Sequence, residues 1–128
     1  MAPLKALVVD DSAPMREAMK EAMRSIRECL VVGEGGDGLE ALELARQLRP
    51  DLVIMDINMP RMGGLEATRR LKVELPDTQV VLVSTSLEPE VREEALRCGG
   101  AACLEKGPEL WQGLQAVVSQ LAQLSPAS

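Results

Sequence analysis

Two constellations in this sequence could do chemistry. The first is dispersed. Asp10-Asp11 follow the apolar run Ala6-Leu7-Val8-Val9, Asp56 follows Leu52-Val53-Ile54-Met55, Ser84 follows Val80-Val81-Leu82-Val83, and Lys106 comes shortly after Ala101 to Leu104. Carboxylates supply nucleophiles and hard-metal ligands, a hydroxyl donates, and a lysine neutralises oxyanions. The second is compact. Val31-Val32-Gly33-Glu34-Gly35-Gly36-Asp37-Gly38-Leu39-Glu40-Ala41-Leu42 reads as strand, G-x-G-x-x-G, helix. That is the form of a dinucleotide-binding fingerprint, and Asp56 lies 18 residues past its last glycine, about where a ribose-binding acid would be expected.

The whole chain limits what either constellation can be. Its 128 residues suit one domain with one core, leaving no room for a two-half dinucleotide fold plus a substrate domain. A net charge of −6 argues against nucleic acid, because phosphate-backbone binding needs a concentrated basic surface. No apolar run reaches membrane-spanning length, and the first one ends in two aspartates, unlike a signal peptide. The three cysteines, Cys29, Cys98 and Cys103, form no C-x-x-C. They are expected to be reduced thiols in the cytoplasm, packed as small buried hydrophobes. There is no histidine, which removes His-ligated zinc and every Ser-His or Cys-His nucleophile pair. Chemistry here falls to carboxylates, hydroxyls, lysines or a hard metal.

The elements that must position these residues alternate strictly. The aliphatic runs at 6–9, 30–32, 52–55, 80–83 and 101–104 have the pattern of strands buried on both faces. Helical patterns separate them. Met15, Ala18, Met19, Ala22, Met23 and Ile26 make one apolar stripe, with Ser12 as N-cap and Pro14 in the first turn. Further helices are expected over 39–48, 65–75 and 89–98, the last stopped by Gly99-Gly100. A fifth, opened by Pro108, carries Leu110, Leu114, Val117, Leu121 and Leu124 on one stripe. The expected core runs from about residue 5 to 124, with 125–128 a frayed tail of a single domain spanning 1–128. Five β-α units in succession predict an α/β fold: a doubly wound parallel sheet covered on both faces.

In such sheets ligands bind beyond the carboxyl ends of the strands, where the strand order reverses. With the order 2-1-3-4-5, strands 1 and 3 are neighbours there, so Asp10, Asp11 and Asp56 would converge. Three crowded carboxylates repel, and one or more takes up a proton unless a cation sits among them. An oxygen-only cluster suits Mg²⁺, which keeps several waters and is often shared with a phosphate. Ser84 and Lys106 add a donor and a charge on the far side. The set fits phosphoryl transfer onto Asp56, where catalysis is mostly positioning and charge neutralisation. Taken singly, each residue has a plainer reading: Asp10-Asp11 as an exposed turn or helix cap, Asp56 as a turn residue, Ser84 as a strand-end hydroxyl, Lys106 as a solvated charge. Together those readings require four coincidences at one sheet edge.

These motifs give the chain its family likeness. From about Lys5 to Leu124 it resembles a response-regulator receiver domain. Leu7 to Arg16 resembles the family's first strand and acidic pair. Asp51 to Pro60, with Arg61-Met62-Gly63-Gly64-Leu65-Glu66, resembles its phosphorylation-site strand and following loop. Val83-Ser84 and Leu104-Glu105-Lys106 supply the switch hydroxyl and the lysine. The resemblance implies a flavodoxin-like fold with five strands and five helices. It implies that Asp56 takes a phosphoryl group from a sensor histidine kinase or phosphotransfer protein, in a transfer that the receiver itself catalyses. Asp11 and Asp56 would bind Mg²⁺ directly, Asp10 mainly through water, and the Asn58 backbone carbonyl as a further ligand. Ser84 and Lys106 would grip the phosphoryl oxygens. The face of helix 4, strand 5 and helix 5 would change shape for a downstream protein or a fused output domain, and it allows a homodimer on which Trp111 would report. Receivers from chemotaxis, methylesterase and DNA-binding regulators are resembled about equally. No output domain lies within these residues, so the expectation is a stand-alone receiver or a piece cut before one.

The glycine run then loses its nucleotide reading. It follows the second strand, not the first, and Glu34 and Asp37 would oppose an incoming pyrophosphate; a tight loop is expected instead. Three departures from the family pattern stand out. Cys103 occupies a position commonly Tyr or Phe, so an aromatic relay is missing. Thr85 is bulkier than the usual Ala or Gly and narrows access to the phosphoryl group. Lys106 is followed by Gly107-Pro108, which moves any cis bond from Lys-Pro to Gly-Pro. Two other readings remain open. One is a haloacid-dehalogenase-type phosphatase, which needs a second acid two residues after the nucleophile, where Asn58 stands. The other is a degenerate, phosphorylation-independent interaction module, which the intact acidic set opposes and Cys103 favours.

Overall fold

A computed structural model describes residues 2–124; the tail expected at 125–128 lies outside the described residues. β1 (Leu4–Val9), β2 (Cys29–Gly35), β3 (Leu52–Asp56), β4 (Gln79–Ser84) and β5 (Ala102–Glu105) alternate with α1 (Ala13–Arg24), α2 (Gly38–Leu48), α3 (Gly64–Glu74), α4 (Pro89–Arg97) and α5 (Leu110–Leu124). The strands form one parallel sheet in the order β2-β1-β3-β4-β5, the doubly wound, flavodoxin-like order expected from the sequence.

Period-2 alternation along the strands splits the core into two layers. Leu7, Val9, Val53, Met55, Val80 and Leu82 face α2, α3 and α4, where Ala41, Ala45, Ala67 and Ala95 let the helices approach closely. Ala6, Val8, Leu52, Ile54, Val81 and Val83 face α1 and α5. A core without Phe or Tyr is thus filled by aliphatic strand residues against small or unbranched helix residues, each large buried side chain contributing about 1.5–3 kcal/mol. Helix α1 starts as its sequence dictates. Ser12 Oγ accepts the Met15 N–H at 3.3 Å, Pro14 sits in the first turn, and Met19 and Met23 are buried. The α4 helix ends before Gly99, at φ 109°.

Several expectations need correction. The three central strands are buried throughout apart from Lys5 and part of Gln79, but β2 and β5 are edges and only partly covered. The glycine run is not a tight loop. β2 continues through Gly33 and Glu34 to Gly35, pairing with Leu7, Val8 and Val9, and only the short segment before Gly38 bends. The buried face of α5 is Leu110, Leu114, Val118 and Ala122, with Val117 and Leu121 at its margin and Leu124 exposed. The helix begins at Leu110, two residues after Pro108, and the Gly107–Pro108 bond is trans. Cys98 and Cys103 are buried, but Cys29, on the β2 edge, is only partly so.

Candidate functional site

The register of the sheet places the site. Val9 lies opposite Met55, so the residues that follow, Asp10 and Asp56, leave the sheet side by side. Asp56 in turn pairs with Val83, and Ser84 with Glu105. The Lys106 N–H donates to the Ser84 carbonyl at 2.8 Å, and the Ile57 N–H to the Val83 carbonyl at 2.9 Å. Four of the residues picked from the sequence therefore meet at the carboxyl edge of β1, β3, β4 and β5.

Asp10, Asp11 and Asp56 each bring a carboxylate oxygen within 4.8 Å of the others. Asp10 is fully buried and Asp56 nearly so, while Asp11 is exposed. Lys106 Nζ donates to Asp10 Oδ2 at 2.9 Å and to Asp56 Oδ2 at 3.3 Å. The remaining Asp10 oxygen accepts the Ser12 N–H at 2.9 Å, and Asp56 Oδ1 accepts the Asn58 N–H at 3.3 Å. No ion pair reaches Asp11 among the described residues. Three carboxylates against one ammonium leave two negative charges over, the charge of one divalent cation, on an all-oxygen donor set.

The electrostatics follow from burial and neighbours. Burial pushes the Asp56 carboxyl above its ordinary range, Lys106 opposes that, and the adjacent Asp10 charge adds to it. Burial lowers the Lys106 ammonium, but the two aspartates outweigh it and the net shift is upward. Desolvation likewise pushes up all three thiols, Cys29 to about 11, so none is a reactive thiolate at neutral pH.

Ser84 is at the edge, but its hydroxyl is engaged with Ser86 and not with the carboxylates. Its hydroxyl donates to the Ser86 carbonyl at 2.9 Å and accepts the Ser86 N–H at 3.3 Å. Thr85, beside it, is exposed. Asn58 is exposed on the β3–α3 loop, next to the cluster. Two features went unseen in the sequence. Arg16 donates to the Asp10 carbonyl at 2.7 Å and pairs with Glu34 at 2.9 Å, tying α1 and β2 to the acidic end of β1. Arg61, on the β3–α3 loop, pairs with buried Asp37. Only Asp37 carried a local signal, as a helix cap. The pyrophosphate reading fails on geometry too. Asp37 Oδ1 already takes the Glu40 N–H at 2.9 Å, and Glu40 Oε1 takes the Gly36 N–H at 2.6 Å, so the amides such a ligand would need are spoken for.

A carboxylate cluster with a bridging lysine, at the switch point of a flavodoxin-like sheet, defines a phosphoacceptor class of protein. The chain belongs to the response regulator receiver domain family, whose pattern matches residues 6–118. It is a receiver of two-component signalling, and receiver domains bind Mg²⁺ at an acidic pocket of this kind. It is 52% identical over 111 residues to protein-glutamate methylesterase/protein-glutamine glutaminase 4 of Myxococcus xanthus, covering 84% of this chain and 31% of that protein. It is 40% identical over 114 residues to response regulator GacA of Pseudomonas aeruginosa, covering 89% of this chain and 53% of that one. Among solved structures, the response regulator domain of Thermotoga maritima CheB superposes with a TM-score of 0.87 at 34% identity, over 97% of this chain and 99% of that one. The chain thus spans from about a third to about half of the length of these curated relatives. Among the described residues no helix is long and apolar enough to cross a membrane.

Proposed function

We propose that Asp56 is the phosphoacceptor, in a single receiver domain spanning 1–128 that works in the cytoplasm. The observation that carries this reading is the convergence of Asp10, Asp11 and Asp56 around a lysine bonded to two of them. An Asp56 carboxylate oxygen attacks phosphorus as the bond from phosphorus to the donor's imidazole nitrogen breaks, and the imidazole leaves. Asp10, Asp11, Asp56 and the Asn58 backbone carbonyl are the residues that would hold Mg²⁺. The ion, when bound, neutralises charge on the carboxylates and the transferred group. Lys106 neutralises a phosphoryl oxygen. Ser84 becomes a second donor once it gives up Ser86, which links the phosphorylation event to the β4–α4 loop and so to α4.

The donor is a sensor histidine kinase or a phosphotransfer protein. The output goes to a downstream protein or a fused domain through the α4–β5–α5 face. The catalysis is confined to the domain's own phosphorylation and dephosphorylation, and a homodimer through the same face is part of this reading. With Cys103 buried among Leu82, Ala95 and Cys98, the switch runs through this small-residue packing and not through an aromatic side chain. A phosphatase of the haloacid-dehalogenase type is disfavoured by Asn58, which offers no second acid.

Beryllofluoride with Mg²⁺ tests the arrangement directly, because it mimics an aspartyl phosphate. Amide resonances of Ser84 and Ser86 are expected to shift when both components are present and not with Mg²⁺ alone, and to stay unmoved in Asp56→Asn. Unmoved Ser84 and Ser86 signals in wild type that otherwise binds the mimic would remove Ser84 from the switch.

A further inference from the structure

Asp37 is a buried carboxylate outside the acidic cluster, and the phosphoryl-transfer reading gives it no task. It caps α2 with one oxygen, Oδ1, which takes the Glu40 N–H at 2.9 Å. The other oxygen, Oδ2, takes the Arg61 Nε–H at 2.7 Å and a second guanidinium donor. Arg61 comes from the β3–α3 loop, 24 residues along the chain, and its backbone sits at φ 64°, a left-handed conformation uncommon outside glycine and asparagine. The next residue repeats the connection: the Gly38 N–H donates to the Met62 carbonyl at 2.9 Å, and Met62 is buried. The loop is also tied near its two ends, where the Ile57 N–H bonds to Val83 and the Gly64 N–H to the Ile57 carbonyl, and Met59 packs against the core from within it.

Between those ends lies Asn58, whose N–H reaches Asp56 Oδ1. A backbone ligand cannot be adjusted by a rotamer; its place is set by where its loop is tied. We propose that Asp37 and Arg61 form a latch that fixes the β3–α3 loop to the first turn of α2, making them positioning residues for the metal site. This rests on the reading of Asn58 as a metal ligand. It also gives the sequence Gly36-Asp37-Gly38 a role: it presents a buried acid to the loop beside the phosphoacceptor, and no nucleotide is involved. The left-handed Arg61 is retained because its guanidinium is bonded in that conformation.

Charge and position make opposite predictions here. Removing the Arg61 charge near an acidic site would, through the field alone, tighten cation binding. Loss of the latch would weaken it, by about tenfold by analogy with outer-shell partners of metal ligands. The experiment is calorimetric Mg²⁺ titration of wild type, Asp37→Asn, Arg61→Gln, Arg61→Lys and the Asp37→Asn/Arg61→Gln double variant. Asn caps a helix as Asp does, and Arg61 is exposed, so all should remain folded. Each loss-of-charge single variant is expected to bind Mg²⁺ about tenfold more weakly. The double variant should be no weaker than the worse single one, and Arg61→Lys should be intermediate. In Arg61→Gln, the phosphorylation rate from acetyl phosphate should return to the wild-type rate at saturating Mg²⁺. An Arg61→Gln protein that binds Mg²⁺ as tightly as wild type, or more tightly, would overturn the latch. So would losses that add in the double variant. Wild type that binds no Mg²⁺ would instead overturn the metal reading on which the latch rests.

Discussion

Lys106→Met is expected to destabilise the metal-free protein by about 2 kcal/mol at neutral pH. Breaking a buried pair by removing one partner costs roughly 3–5 kcal/mol, and the figure is reduced here because the lysine keeps some solvent. The Lys106 side chain is 19% exposed, against 0% for Asp10 and 7% for Asp56. The substitution leaves both aspartates buried without their cation. The pH dependence follows from Asp56, whose carboxyl is raised by burial and held back by Lys106. Removing the lysine raises it further. A raised folded value means that the folded protein binds the proton more tightly than the unfolded chain does. The associated stability is therefore present at low pH and lost as the pH climbs from the ordinary value of 3.8 through the raised one. The gap between variant and wild type should be small at pH 4 and widen toward neutrality. Saturating Mg²⁺ should close much of it, since the ion replaces the missing positive charge and binds the folded state alone. Urea unfolding at two pH values, with and without Mg²⁺, reads all of this. A gap as wide at pH 4 as at pH 7.5 would mean that lost packing, not stranded charge, is the cause.

Gly64→Ala is expected to cost about 3 kcal/mol, near the upper end of the range for overpacking. A Cβ at this position would fall well inside van der Waals contact distance of the Asp56 backbone carbonyl oxygen and 3.0 Å from Ile57 Cα. Neither is the end of a flexible side chain, so the backbone itself would have to shift. The first turn of α3 packs here on the residue that carries the phosphoacceptor, so relief comes either by lifting α3 or by moving Asp56. The variant should melt lower, and its folded fraction should phosphorylate more slowly from acetyl phosphate. Gly107→Ala is the control, because nothing lies within 4 Å of a Cβ there. Equal melting temperatures for Gly64→Ala and wild type would show that α3 does not approach β3 closely enough for a Cβ to matter.

What was readable in the sequence, and what was not, divides along physical lines. The Met19–Met23 stripe, the Ser12 cap and the three central strands follow from local rules, a 3.6-residue period, a side-chain oxygen at a helix start and aliphatic runs. The meeting of Asp10 with Asp56 is a register effect and followed once the strand order was assumed. The length of β2 was hidden because glycine signals a turn. Gly33 and Gly35 instead continue the ladder to the end of β1, past a register shift between Ala6 and Leu7 of the kind that a strand glycine often marks. On α5, apolar residues crowd both sides of the buried line, so periodicity alone placed Leu124 on a face it does not share. The direction of the Ser84 hydroxyl and the pairing of Arg61 with Asp37 are tertiary facts between loops, with no spacing rule to betray them.

Intact mass after incubation with acetyl phosphate, with and without Mg²⁺, on wild type and Asp56→Asn, tests the central claim most directly. The expected result is one added phosphoryl group on wild type, dependent on Mg²⁺ and absent from the variant. No addition to well-folded wild type, or an equal addition to Asp56→Asn, would contradict the assignment of Asp56 as the phosphoacceptor.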